Sequence, residues 1–157
     1  MKPTVYIETS VVSYFANRDS RDVIVLAQQQ ITRDWWRDAA NSFDLFVSDL
    51  VVSEIGQGDS LAAKARLEAV LSVPILGLDA ESELLAERLL KIAALPQKAQ
   101  DDALHIAVAA VNGMDFLLTW NCTHIANART REIINFCCRS AGYEPPVICT
   151  PTELGGD

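Results

Sequence analysis

Apolar residues in this chain form short unbroken runs, separated by longer stretches in which they recur at helical spacing. Thr4-Val5-Tyr6-Ile7 is a β-branched and aromatic run that stops abruptly at Glu8-Thr9-Ser10, the pattern of a buried strand ending in polar groups. After a loop at Asn17-Arg18-Asp19-Ser20, the segment from Asp22 to Ala40 places Val23, Leu26, Ala27, Ile31, Trp35 and Ala39 on one helical face. Leu45-Phe46-Val47 reads as a second strand, and Ser48 offers an N-cap for a short helix carrying Leu50, Val51, Glu54 and Ile55 that closes at Gly56. A helix follows from about Ser60 to Leu71. Val73 to Leu78 is an edge strand or extended connection, Pro74 favouring the edge. A long helix begins at Asp79 or Ser82 and runs through Leu95 to a stop at Pro96. The next spans about Gln100 to Asn112, with Gly113 as its stop. Phe116 to Thr119 is a strand that leads into Trp120-Asn121, and a last helix covers about Thr130 to Ser140. Val147 to Thr150 supplies a final short strand, followed by a tail expected to fray.

Strands of continuous apolar residues alternating with helices predict a mainly parallel sheet covered on both faces. No repeat or linker divides the chain, so residues 1–151 are expected to form one domain, with 152–157 as a short tail. At 157 residues, half of them apolar, the chain suffices for one well-buried domain. No window approaches about 20 apolar residues, and Met1-Lys2 passes directly into the first strand. Neither a membrane span nor a signal peptide is therefore expected, and the expected location is the cytoplasm.

The helix beginning near Gln100 poses the sharpest chemical question. Asp101 and Asp102 stand at the mouth of Ala103-Leu104-His105-Ile106-Ala107-Val108-Ala109-Ala110-Val111, which is apolar nearly all round. A carboxylate there needs a cation, a basic partner or the helix dipole. Asp101 shares a face with His105, whereas Asp102 shares one with Ala99, Ile106 and Ala109 and has no local polar neighbour. Asp101 is accordingly read as a cap or surface charge, and Asp102 as the functional candidate. In open α/β sheets functional groups collect beyond the carboxyl ends of the strands, and Glu8, Glu54 and Asn121 occupy such places. His105 reads as a satisfied core histidine, and His124 as a loop residue near Asn121.

Other chemistries lack their motifs. No G-x-G-x-x-G, G-x-x-x-x-G-K-[ST] or G-x-S-x-G is present, which removes the dinucleotide cradle, the P-loop and the nucleophile elbow. The four cysteines, Cys122, Cys137, Cys138 and Cys149, contain no C-x-x-C pair and read as reduced thiols. A formal net charge of -8 argues against a broad basic footprint for nucleic acid, but not against a carboxylate cluster that holds a cation.

The acidic strand end at Glu8 with Thr9, Glu54 after Val52-Ser53, the run Asp102-Ala103-Leu104-His105-Ile106-Ala107 and the strand end Leu118-Thr119-Trp120-Asn121 together resemble a PIN domain over nearly the whole chain. Free-standing domains of this kind resemble the VapC-type ribonuclease toxins of toxin-antitoxin pairs. The resemblance implies a three-layer α/β/α sandwich, with Glu8, Glu54, Asp102 and Asn121 at the four site positions. Glu8, Glu54 and Asp102 would hold Mg²⁺ or Mn²⁺ for cleavage of RNA, with Thr9, Ser10 and Thr119 as supporting or phosphate-contacting hydroxyls. It also implies an antitoxin partner and a homodimer. Two positions depart from the pattern: Glu8 stands where Asp is common and adds a methylene, and Asn121 stands where Asp is common and offers only a neutral carbonyl oxygen. Those departures keep open a PIN-like module that binds RNA or a protein without cleaving. A doubly wound α/β protein that binds a small ligand is the remaining alternative.

Overall fold

The computed structural model describes residues 1–93 and 95–155. Five strands, β1 (Thr4–Ile7), β2 (Asp44–Ser48), β3 (Ile75–Leu76), β4 (Phe116–Leu118) and β5 (Val147–Cys149), form one sheet in the order β3-β2-β1-β4-β5. Every pairing is parallel: Val5 lies opposite Leu45 on one side and Phe116 on the other, and Leu117 opposite Ile148.

This order dictates where the helices go. From β1 the chain moves outward through β2 to β3, then returns across the sheet to β4 and on to β5. Crossovers between parallel strands are right-handed, so the two directions of travel place their helices on opposite faces. The packing follows. Helix α1 (Thr9–Ala16) contacts α2 (Val23–Asp38), α3 (Asp49–Ile55) and α4 (Ser60–Ala69), while α5 (Ala80–Ile92) contacts α6 (Gln100–Val111) and α7 (Ala128–Ser140). The three-layer α/β/α arrangement expected from the sequence is present. Among the described residues no helix is long and apolar enough to cross a membrane.

Between the layers, Val5, Tyr6, Ile7, Val47, Leu117 and Leu118 of the strands are fully buried against Val11, Ile55, Leu89, Ile106 and Ile134 of the helices. In α6, Ala103 and His105 through Ala110 are all buried, which accounts for a helix whose interior is apolar apart from His105. Gly113, at φ 67°, terminates it as expected.

Four local differences have identifiable causes. Helix α1 was not anticipated, because Val11 and Val12 are β-branched and obscure a short helix that Glu8 caps through the Ser10 amide. Helix α5 ends at Ile92 rather than Leu95; the residue before a proline is disfavoured in helical geometry. Helix α7 starts at Ala128 rather than Thr130, since Asn127 accepts from the Arg129 amide and serves as its cap. The chain after β5 is held rather than frayed, for a turn at Thr150–Glu153 seats Leu154 in the core. The last two positions of the expected tail, 156–157, lie outside the described residues.

Candidate active site

The direction of chain travel reverses between β1 and β4, and the crevice beyond their carboxyl ends is where an open α/β sheet binds ligands. Glu8 follows β1 directly. Thr119, Trp120 and Asn121 follow β4, Asp102 opens α6, and Glu54 sits near the end of α3, the helix after β2.

Glu8 is only 5% exposed. Its longer side chain curls back over its own helix: Oε2 accepts from the Ser10 amide at 3.0 Å, and Oε1 accepts from the hydroxyls of Ser10 and Thr119, each at 2.5 Å. The additional methylene is thus absorbed by N-capping. All three donors are neutral, and among the described residues no basic side chain pairs with this buried carboxylate.

Glu54 accepts through Oε1 from Thr9 Oγ1 at 2.7 Å and hydrogen-bonds His105 Nε2 at 2.6 Å, while Oε2 has no hydrogen-bond partner among the described residues. Burial pushes the Glu54 carboxyl upward, but the hydrogen bonds from His105 and Thr9 outweigh it and hold the group below the ordinary range. Glu54 is therefore ionised at neutral pH. His105, fully buried on α6, is satisfied at both ring nitrogens, since Nδ1 lies 2.6 Å from the Tyr6 hydroxyl.

Asp102 bonds Asn121 Nδ2 at 3.0 Å through Oδ1 and His124 Nδ1 at 2.8 Å through Oδ2. The Asn121 orientation is fixed, because its Oδ1 accepts from the His124 backbone amide at 3.1 Å. Asn121 thus turns its amide nitrogen toward Asp102 and spends its carbonyl on the local turn, where the sequence pointed to a carbonyl ligand. Its own backbone N–H donates to Thr119 Oγ1 at 2.9 Å, so one continuous set of hydrogen bonds runs from Glu8 through Thr119 and Asn121 to Asp102. Asp101 is exposed and takes no part.

Thr9, Ser10 and Thr119, expected as supporting hydroxyls, each donate to a site carboxylate. Tyr6 and the attachment of His105 to Glu54 were not anticipated. Their signal was present as a tyrosine in an aliphatic strand and a histidine in an apolar helix, each of which needs a buried partner. Trp120 packs: it stacks on Tyr14 with ring centroids 6.0 Å apart and donates Nε1 to Thr32 at 2.7 Å.

Hard divalent cations select oxygen donors, and carboxylates are the strongest available. The donor chemistry of Glu8, Glu54 and Asp102 fits such an ion, and a buried carboxylate bonded only by neutral donors, as Glu8 is, is a group that a cation would stabilise. Among the described residues no three His, Cys, Asp or Glu side chains form a ready-made metal cage. The three carboxylates are each held by their own partners.

Comparison with known proteins agrees with the fold. The family model for the PIN domain matches residues 5–121. Among curated proteins, none matches the chain in sequence. Of solved structures, the VapBC2 complex of Rickettsia felis bound to a DNA fragment from its promoter is similar at a TM-score of 0.62 and 15% identity, over 94% of this chain and 98% of that one. VapC20 of Mycobacterium tuberculosis, a toxin that cleaves the sarcin-ricin loop, is similar at a TM-score of 0.60 and 18% identity, over 76% and 92%. With the family match spanning Glu8, Glu54, Asp102 and Asn121, the chain belongs to the PIN domain family.

Proposed function

We propose that the protein is a metal-dependent endoribonuclease, the toxin of a toxin-antitoxin pair, which hydrolyses RNA phosphodiester bonds with Mg²⁺ or Mn²⁺ held by Glu8, Glu54 and Asp102. The observation that carries this reading is the Glu8 carboxylate at the β1/β4 reversal, buried and without a cationic partner among the described residues. The RNA-cleaving activity named for VapC20 supports the substrate, and the toxin-antitoxin complex of VapBC2 supports an antitoxin partner. Exposed apolar side chains on α2 and α4 and in the turn after α4, among them Val23, Ile24, Leu61 and Leu71, suit a protein partner or a second copy in a homodimer. A cytoplasmic location follows from the same reading.

A hard divalent cation bound here supplies positive charge opposite the charge that develops on the phosphodiester. The chain's own groups do the rest. Thr9 and His105 occupy Glu54 Oε1, leaving Oε2 to accept a proton from an attacking water or to meet the cation. Ser10 and Thr119 fix the Glu8 carboxylate from two sides. Asn121 and His124, both in the segment after β4, fix the orientation of Asp102.

Occupation of both Asp102 oxygens supports a second reading, a module that binds RNA or protein without cleavage. One comparison decides between them: cleavage of RNA by the wild type and by Asp102→Asn, each with Mn²⁺ and with chelator. The nuclease reading expects cleavage by the wild type with Mn²⁺ alone and loss in the variant. Wild-type inactivity in every metal, together with retained RNA binding, selects the second reading.

A further inference from the structure

The polar groups buried between β1, β2 and α6 form a chain of which the catalytic reading uses only the His105–Glu54 end. Tyr6 Oη lies 2.8 Å from Ser48 Oγ and 2.6 Å from His105 Nδ1, and His105 Nε2 lies 2.6 Å from Glu54 Oε1. Tyr6, Ser48 and His105 are each 1% exposed or less. Ser48 Oγ also accepts from the Val51 amide at 3.3 Å, as the N-cap of α3. The chain therefore ties both ends of α3 to α6, through Ser48 at its start and Glu54 near its end.

Counting donors and acceptors gives this chain a direction. An ionised Glu54 only accepts, so His105 Nε2 must carry a hydrogen. If the imidazole is neutral, Nδ1 accepts from the Tyr6 hydroxyl, and Tyr6 in turn accepts from the Ser48 hydroxyl. Every hydrogen then has an acceptor. If the ring were doubly protonated, Nδ1 would donate to Tyr6 and Tyr6 to Ser48, leaving the Ser48 hydrogen with no acceptor among the described residues. Buried groups with unmade bonds are costly.

We propose that Tyr6 and His105 are positioning residues for Glu54: the Tyr6 hydroxyl holds His105 as the neutral Nε2–H tautomer, and that N–H fixes the Glu54 carboxylate with Oε2 free for the cation. The claim about the cation rests on the nuclease reading; the claim about the tautomer does not.

Tyr6→Phe retains the buried ring and removes only the hydroxyl. Three measurements on the full chain test the proposal: the ¹⁵N shifts of His105, Mn²⁺ affinity by calorimetry, and circular dichroism with melting to verify the fold. In the wild type, Nδ1 should show the shift of an unprotonated nitrogen and Nε2 that of a protonated one, with the pattern lost or mixed in Tyr6→Phe. Mn²⁺ affinity should fall by about 10-fold to 100-fold. Tyr6→Phe combined with His105→Ala should bind Mn²⁺ no worse than His105→Ala alone, because Tyr6 acts through His105. A wild-type Nδ1 that is protonated, unchanged shifts in Tyr6→Phe, or additive losses in the double variant would overturn the proposal. Failure of the wild type to bind Mn²⁺ would instead defeat the nuclease reading, and the ¹⁵N shifts would still decide the tautomer.

Discussion

Asn121→Asp restores a carboxylate where this chain carries an amide, and its effect follows from a single contact. Asn121 Nδ2 lies 3.0 Å from Asp102 Oδ1, so the substitution replaces a hydrogen bond with two facing anions. At that separation two unit charges repel by about 1.4 kcal/mol in bulk water and by about 5.5 kcal/mol at an effective dielectric of about 20. The Asp102 side chain is 21% exposed, and the new carboxylate can rotate away, so the lower part of that range applies. Together with the lost hydrogen bond this amounts to about 2–3 kcal/mol, or a fall in Tm of about 4–12 °C for a domain of this size. The aspartate can still accept from the His124 amide, which preserves the turn. A divalent cation reverses the balance, since the second carboxylate becomes a ligand and binding to the folded state alone stabilises it. Scanning calorimetry in chelator and in Mn²⁺ measures both halves. The variant should melt below the wild type in chelator and gain more than the wild type from Mn²⁺. Equal melting in chelator would show that the Asn121–Asp102 contact does not matter, and an equal or smaller gain from Mn²⁺ would show that no cation lies between these residues.

Other parts of the structure are equally open to measurement. Ile106→Ala, at a fully buried position of α6, should cost about 2–5 kcal/mol in chemical denaturation. Arg66→Leu removes bonds from the guanidinium to the carbonyls of Ile55 and Gln57 and to Asn17 Oδ1, at 2.8, 2.6 and 3.0 Å. It should lower Tm and loosen the end of α3, visible as faster amide exchange near Glu54. The Glu54 carboxyl is depressed because its bonds to His105 and Thr9 outweigh burial, and the Asp79 carboxyl is depressed by the Ser82 amide it caps. A depressed carboxyl contributes stability above its unfolded value and loses that contribution as pH falls through its folded value. Urea denaturation between pH 7 and pH 3 should accordingly show stability falling from about pH 4 downward, and Glu54→Gln should flatten that fall.

Much of this molecule was legible because its signals are local and redundant. β1 and β4 are short aliphatic runs with polar residues directly after them, and α6 is bracketed by aspartates and Gly113, so both element type and end were fixed by neighbours in sequence. Helix α1 was hidden because its cap is a glutamate, a residue better known inside helices, and its first apolar residues favour strands. Among the candidate residues, Glu8, Glu54 and Asn121 could be named from their places relative to strand ends, and Asp102 from its face on the helix it opens. What each one bonds could not. Tyr6 meets His105 across 99 residues of chain, and Thr119 meets Glu8 across 111. Such contacts depend on strand order and helix packing, which a one-dimensional pattern carries only through the demand that every buried polar group find a partner. The turn of the Asn121 amide was likewise set by a backbone N–H three residues away, a detail of loop geometry.

The central claim is that Glu8, Glu54 and Asp102 share one cation. A crystal soaked in Mn²⁺ and measured at the manganese absorption edge tests it directly. One anomalous peak is expected within coordination distance of oxygens from all three carboxylates, with the contact between His124 and Asp102 displaced to admit it. A crystal in which Mn²⁺ is absent from this crevice, or touches only one of the three while the others keep the partners described above, would contradict it.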